Sequence, residues 1–204
     1  MEERFSLNRS TSKSFMDKII TEQNGELGKK LVKNMEKLTW ERHGTMGVEN
    51  AKRNQQFLEH GQSIAKLHRA TIKDNSAIIV AAGPSIKIHD PASIINESGF
   101  KGAIIATESA LMYCLRNGII PDLAVSLDPH ATRIVRWFGD PNLTEEIIND
   151  DDYYSRQDMD VVFADEMRAN DEAVNLLNQY GKNIKIALST SASKAVVDRV
   201  LEVG

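Results

Sequence analysis

The chain has 204 residues, of which 41% are hydrophobic and 26% charged, and it carries a formal net charge of −4 with a pI near 5.8. That balance supports a packed core and excludes a wholly disordered chain; it does not favour a nucleic-acid partner, because such domains are usually basic. The N-terminus, Met1-Glu2-Glu3-Arg4-Phe5-Ser6, lacks the basic start and apolar run of a secretory signal. No apolar stretch approaches the roughly 18–20 residues that span a bilayer, so a cytoplasmic protein without a membrane partner is expected. One cysteine, Cys114, cannot form an internal disulfide. In the helical pattern Ala110-Leu111-Met112-Tyr113-Cys114-Leu115 it reads as a small core residue.

The chain divides near Asn75. Residues 1–75 are polar and read as a helical N-terminal extension. Met16, Ile19 and Ile20 form one short apolar set. Leu27, Leu31, Met35 and Leu38 recur at spacings of three and four, which is one helix face. Phe57, Ile64 and Leu67 suggest a further helix, and Gly25, Gly28, Gly44, Gly47 and Gly61 interrupt these patterns. Such an arm packs on the main domain or on a second subunit, so a homo-oligomer through these helices is one expectation. No motif in the arm carries obvious chemistry.

From Ser76 to Gly204 the pattern changes. Five short apolar runs follow one another: Ala77–Ala82, Gly102–Ala106, Leu123–Leu127, Val161–Ala164 and Ile184–Leu188. Unalternated runs of this length are what strands buried on both faces look like. Helical stretches separate them. Asp90-Pro91 marks one start, since Asp caps and Pro suits a first turn, and Gly99 is its stop. Thr107 is placed to cap Glu108–Asn117, which Gly118 ends. Further helices are expected over Asp171–Tyr180 and Ser191–Val203. Alternating strand and helix predict an α/β, doubly wound, mostly parallel sheet of the Rossmann-like kind. The acidic, aromatic stretch Glu145–Asp160 reads as a solvated insertion, a candidate lid. Because the sequence stops at Gly204 directly after a helix, a further strand beyond it is expected.

Ligands of open parallel sheets bind outside the carboxyl ends of the strands. The residues that stop the five runs are Gly83-Pro84-Ser85, Thr107-Glu108-Ser109, Asp128-Pro129-His130, Asp165-Glu166 and Ser189-Thr190-Ser191. All are small, hydroxylic, acidic or turn-forming. Gly83 lets an anion approach the backbone and Ser85 adds a hydroxyl donor, although neither a P-loop nor a G-x-G-x-x-G fingerprint is present. The following helix is expected to begin only at Asp90-Pro91, so a phosphate here would rest on a backbone nest. Thr107 and Ser109, and likewise Ser189, Thr190 and Ser191, lie where a strand meets a helix N-terminus, where free N–H groups favour an anion or are simply capped. Glu108 opposes a bare phosphate and suits a ribose or a ligand amine. Asp128 is the candidate charged group, as a Mg²⁺ ligand or a general base, and His130 is a candidate contact. Asp122 should lie at the other edge, roughly 15–20 Å away at about 3.3 Å per residue. No zinc spacing of Cys and His occurs.

Ala77–Ser85, Ala106–Leu111, Gly118-Ile119-Ile120-Pro121-Asp122 and Ser126-Leu127-Asp128-Pro129, in this order and spacing, resemble the MptE-like family. The resemblance covers roughly Ser76–Gly204. It implies either of two activities. One is that of 6-hydroxymethyl-7,8-dihydropterin diphosphokinases, which move a pyrophosphate from ATP to a pterin alcohol with Mg²⁺. The other is that of motility accessory factors, which resemble sialyltransferases and are linked to attaching CMP-activated nonulosonic acids to a glycan or protein acceptor. The helical arm leans toward the second group. Carried over, Gly83, Pro84 and Ser85 would hold donor phosphates, Thr107, Glu108 and Ser109 would line the pocket, and Asp128 would be catalytic or metal-linked. A non-catalytic nucleotide-binding module is the third expectation.

Overall fold

The computed structural model describes residues 25–67, 76–131, 134–148 and 166–204. The chain forms two compact units, residues 1–46 and 47–204. In the first, helix α1 (Gly25–Thr39) continues into a π-helical turn, Trp40–Gly44. The stripe Leu31, Met35 and Leu38 lies on this helix, with all three side chains exposed. A Cβ at Gly44 would come within 2.7 Å of the Trp40 ring, so only glycine lets that indole lie along the helix one turn ahead. Helix α2 (Thr45–Asn54) follows and carries the chain into the second unit.

The second unit is built on four parallel strands in the order β1-β2-β3-β4: β1 (Ala77–Val80), β2 (Ala103–Thr107), β3 (Leu123–Ser126) and β4 (Lys185–Leu188). Between and after them come helices α3 (Pro84–His89), α4 (Pro91–Ser98), α5 (Glu108–Arg116), α6 (Ile134–Trp137), α7 (Glu145–Ile148), α8 (Glu166–Tyr180) and α9 (Lys194–Val203). This is the expected α/β class, a parallel sheet flanked by helices and consistent with doubly wound topology. The central strands β2 and β3 are the better covered, whereas the outer strands β1 and β4 are not buried on both faces as expected, with Ile79 and Lys185 exposed, because each has a strand neighbour on one side only among the described residues. The register is Val80↔Ala106, Thr107↔Val125 and Ser126↔Leu188, which brings all four carboxyl ends to one edge.

Two apolar clusters seat the helices. Val80, Ala92, Ile95, Ala106, Ala110, Cys114 and Ile119 form one, under α3, α4 and α5. Leu111, Met112, Leu115, Ala124, Ile134, Phe138, Leu143, Ala173, Leu177 and Val196 form the other. Ala106 and Ala110 are fully buried, and such small residues let α5 approach the sheet closely. Cys114 is fully buried as well, and burial pushes its thiol up to about 11, so it stays protonated at neutral pH, as a core residue should. Arg199, only 2% exposed, crosses the helical layer. It donates to the Phe138 and Val174 carbonyls and to Asn178 Oδ1, and it pairs with Glu202 at 2.9 Å. Among the described residues no helix is long and apolar enough to cross a membrane.

Several local expectations change. A helix follows Gly83 at once, with Pro84 in its first turn, rather than starting at Asp90; Pro84 pre-sets the helical φ. Asp90 does precede α4, but it sits in the left-handed region (φ 38°) and its carboxylate does not cap the backbone. It accepts instead from the hydroxyls of Ser93 (2.7 Å) and Tyr113 (3.0 Å). Those two bonds, Ser93 foremost, hold its pKa below the ordinary aspartate value. Thr107 does not cap α5 through its side chain. Helix α9 starts at Lys194, with the Ser193 hydroxyl accepting from Val196 N, and not at Ser191. Helix α8 begins at Glu166, five residues ahead of Asp171. Of the insertion read at Glu145–Asp160, residues 145–148 are helical. The rest of it, the run Val161–Ala164 and the turn residue Asp165 lie outside the described residues, as do Met16, Ile19 and Ile20.

Gly139 and Gly118 both have positive φ, 64° and 73°. A Cβ at Gly139 would meet Val174 N at 2.5 Å and Ala173 C at 2.9 Å, whereas a Cβ at Gly118 meets open space. Gly139→Ala should therefore lower unfolding free energy by about 2–4 kcal/mol, strain plus overlap, and Gly118→Ala by about 1–2 kcal/mol from strain alone. Urea unfolding of both variants measures the difference; equal losses would contradict the packing described. The lowered Asp90 pKa has its own signature. Its stabilising contribution is present above the unfolded aspartate pKa and fades as pH falls through the lower folded value. The stability gap between wild type and Asp90→Asn, followed by urea unfolding against pH, should close on acidification.

Candidate functional site at the carboxyl edge

The site is made of the turns that leave the sheet. After β1, Ala81-Ala82-Gly83 leads into α3, and Gly83, Pro84 and Ser85 are all solvent-exposed. Ile86 N donates to the Gly83 carbonyl at 3.1 Å. Gly83 is extended (φ 177°), and a Cβ there would make only ordinary contact with Ser85 Oγ, at 3.8 Å. The glycine is thus not demanded by its backbone or by its neighbours; the small size leaves room on the solvent side, where an anion could approach.

The other three turns are tied together. The Thr107 and Ser109 hydroxyls share a hydrogen bond at 3.2 Å. Glu108 Oε2 accepts from Leu127 N at 2.8 Å, which joins the turn after β2 to the turn after β3. Asp128 Oδ1 accepts from His130 N at 2.8 Å, a local Asx turn that orients the Asp128 carboxylate. Ser189 N donates to the Ser126 carbonyl at 2.9 Å, extending the β3–β4 ladder one step past the strands. Ser189 and Ser191 share a hydroxyl bond at 2.7 Å, and Ser191 N donates to Ser189 Oγ at 3.2 Å. Thr190, between them, is exposed. The carboxyl edge therefore presents six hydroxyls (Ser85, Thr107, Ser109, Ser189, Thr190 and Ser191), the two carboxylates Glu108 and Asp128, and the His130 imidazole.

Asp122 behaves differently, as its position ahead of β3 requires. Its Oδ2 accepts from Ile104 N at 2.9 Å, its N–H donates to the Ile104 carbonyl at 2.8 Å, and its own carbonyl accepts from Lys185 N at 3.2 Å. This is a structural staple across three strands at the amino edge.

Sequence reasoning missed three residues of α2. Asn50 and Asn54 are 6% and 5% exposed. Asn50 Nδ2 donates to the Pro129 carbonyl (2.9 Å) and to the Ser191 carbonyl (3.0 Å). Asn54 Nδ2 donates to the carbonyls of Thr190 (2.9 Å) and Ala192 (2.8 Å). Arg53 donates to Asn50 Oδ1 at 2.9 Å, to Asn54 Oδ1 at 3.4 Å and to the Ala192 carbonyl at 3.2 Å. The available signal was the spacing itself: Asn50, Arg53 and Asn54 stand at i, i+3 and i+4, a polar stripe on one helical face.

Among the described residues, no three His, Cys, Asp or Glu side chains gather into a metal cage. Oxygen donors from one or two carboxylates suit Mg²⁺, which normally completes its shell with substrate phosphates and water. Asp128, with Glu108 on the adjoining turn, fits that habit; a zinc-type cage is not what these residues form.

The Glu108–Leu127 bond gives a direct test of how the edge is held. Glu108→Ala leaves a backbone N–H without its acceptor and should cost about 1–3 kcal/mol in urea unfolding, while Glu108→Gln, which still presents an acceptor oxygen, should cost well under that. Equal losses would show that the bond does not hold the two turns together.

The profile of one family, described as 6-hydroxymethylpterin diphosphokinase MptE-like, matches residues 49–199. No curated protein sequence matches the chain. The matched span includes all four turns, and it opens within α2, so Asn50, Arg53 and Asn54 lie inside it. The chain belongs to the MptE-like family.

Proposed function

We propose that this protein is a nucleotide-dependent transferase that moves a pyrophosphate from ATP to a pterin-type alcohol. The observation that supports it is the single edge on which the hydroxylic turns, Glu108 and Asp128 converge, in a chain of the MptE-like family. Phosphoryl groups bound at such an edge meet N–H and O–H donors from several strands at once.

In this reading the acceptor hydroxyl oxygen attacks the β-phosphorus of ATP. The bond from that phosphorus to the α–β bridging oxygen breaks, AMP leaves with the electron pair, and the hydroxyl proton passes to a base. Asp128 or His130 takes that proton, both belonging to the turn that follows β3. Ser85, Thr107, Ser109, Ser189, Thr190 and Ser191 orient donor and acceptor through their hydroxyls, with Gly83 and Pro84 shaping the approach. Glu108 already accepts from Leu127 N, and its remaining acceptor capacity suits a ribose or a pterin amine. Mg²⁺, held by Asp128 together with the donor phosphates, would neutralise phosphate charge when bound.

A second reading draws on the helical segment ahead of β1. It makes the same edge the seat of a CMP-activated nonulosonic acid, with cytidine phosphate as leaving group and a glycan or protein hydroxyl as acceptor.

A thermal-shift panel of ATP, CTP, CMP and GTP, each with and without Mg²⁺, separates these readings. At about 100 times its Kd a true ligand adds about 2.7 kcal/mol, which raises the Tm by about 5–10 °C. Stabilisation by ATP only with Mg²⁺ supports pyrophosphate transfer; stabilisation by CMP or CTP supports glycosyl transfer; no shift with any of the four contradicts both. Asp128→Asn should lower turnover by about 10²–10⁴-fold while nucleotide affinity changes far less. A protein that binds nucleotide, yet shows no turnover to lose, is a binding module.

A further inference from the structure

The Asn50–Arg53–Asn54 stripe has the construction of a positioning device. Four carbonyl oxygens, those of Pro129, Thr190, Ser191 and Ala192, are drawn to two amide nitrogens on one face of α2. These carbonyls belong to the turns after β3 and β4, where the ladder has ended and no neighbouring strand can satisfy them. An asparagine amide can turn over and present oxygen in place of nitrogen, which would set carbonyl against carbonyl. Arg53 prevents this by donating to both amide oxygens, so each Nδ2 must face the turns. The guanidinium fork suits the task because it offers several N–H groups in fixed directions. Its remaining bond, to the Ala192 carbonyl, anchors it to the same turn, and its Nε is sheltered, with no hydrogen-bond partner among the described residues. Asn50 bridges the two turns. One of its partners, Pro129, lies between Asp128 and His130, and the other is Ser191.

We propose that Asn50, Arg53 and Asn54 are positioning residues of the nucleotide site: they fix the Asp128–His130 turn against the Ser189–Ala192 turn, so helix α2 is a working part of the phosphate-binding edge although it touches no reacting atom. This rests on the nucleotide reading given under Proposed function. Its consequence is that removing an amide from α2 loosens ligand binding several residues away.

Asn170 supplies a matched comparison. It is also buried, 3% exposed, and it also clamps backbone: its Oδ1 accepts from Asp140 N at 2.7 Å and its Nδ2 donates to the Asp140 carbonyl at 2.8 Å. Asp140 lies on none of the carboxyl-edge turns.

The test uses the full chain and whichever of ATP with Mg²⁺ or CMP stabilises the wild type. Kd is measured by calorimetry at a temperature where every variant is folded, alongside urea unfolding. Asn50→Ala should raise Kd about tenfold, or about 1.4 kcal/mol, while Asn170→Ala lowers the urea midpoint to a similar degree and leaves Kd within about twofold. Should Asn50→Ala not fold, Arg53→Lys serves. It keeps the charge, cannot donate to both amides from one fixed plane, and should still raise Kd about threefold. Unchanged Kd in Asn50→Ala, or in Arg53→Lys, overturns the positioning role while leaving the nucleotide reading intact. A wild type that binds neither probe overturns both.

Discussion

Backbone that leaves a parallel sheet at its carboxyl edge loses its ladder partners and must find others. In this protein that need is met by side chains: Glu108 for Leu127 N, Asp128 for His130 N, Asn50 for the Pro129 and Ser191 carbonyls, Asn54 for those of Thr190 and Ala192. The same bonds that satisfy the turns set their spacing. Turns without such ties would wander on the scale of loop motion, and a cluster of hydroxyls on wandering loops binds nothing tightly. Structure and candidate function therefore share one set of hydrogen bonds.

The two edges of the sheet show what this division of labour means. At the amino edge, Asp122 staples three strands: its Oδ2 accepts from Ile104 N, its N–H donates to the Ile104 carbonyl and its own carbonyl accepts from Lys185 N. At the carboxyl edge, Glu108 accepts from Leu127 N and Asp128 from His130 N, so the carboxylates that line the candidate site also hold its turns. Between sheet and helix the core is made of small residues: Ala106, Ala110 and Cys114 are fully buried, and burial raises the Cys114 thiol pKa.

Much of this was legible in the sequence, for identifiable reasons. The apolar runs at Ala77, Gly102, Leu123 and Ile184 each became a parallel strand in or close to the expected place, but burial on both faces was approached only in the central strands β2 and β3; the outer strands β1 and β4 expose residues such as Ile79 and Lys185. The residues that stop them fell on one edge because parallel pairing leaves no other arrangement. The Asp122 staple was legible from its place ahead of a strand. Boundaries were less legible. Pro84 started a helix that a Gly-Pro turn had concealed, and Ser193 won the cap from Ser191 because its hydroxyl reaches Val196 N. Asp90 looked like a cap but gave its oxygens to two hydroxyls, one of them 23 residues away. The α2 stripe was hidden for another reason. Its partners are backbone carbonyls 79 to 141 positions distant, and carbonyls leave no mark on residue type.

The central claim is spatial and chemical together: the carboxyl-edge turns bind a phosphoryl ligand. Backbone amide chemical shifts, followed residue by residue while ATP with Mg²⁺ or CMP is titrated into the protein, test it most directly. The account expects the largest changes at Ser85, Thr107, Asp128 and Ser191, and little at Gly118 and Asp122. Changes centred on Gly118–Asp122, or scattered without preference for the carboxyl edge, would contradict it.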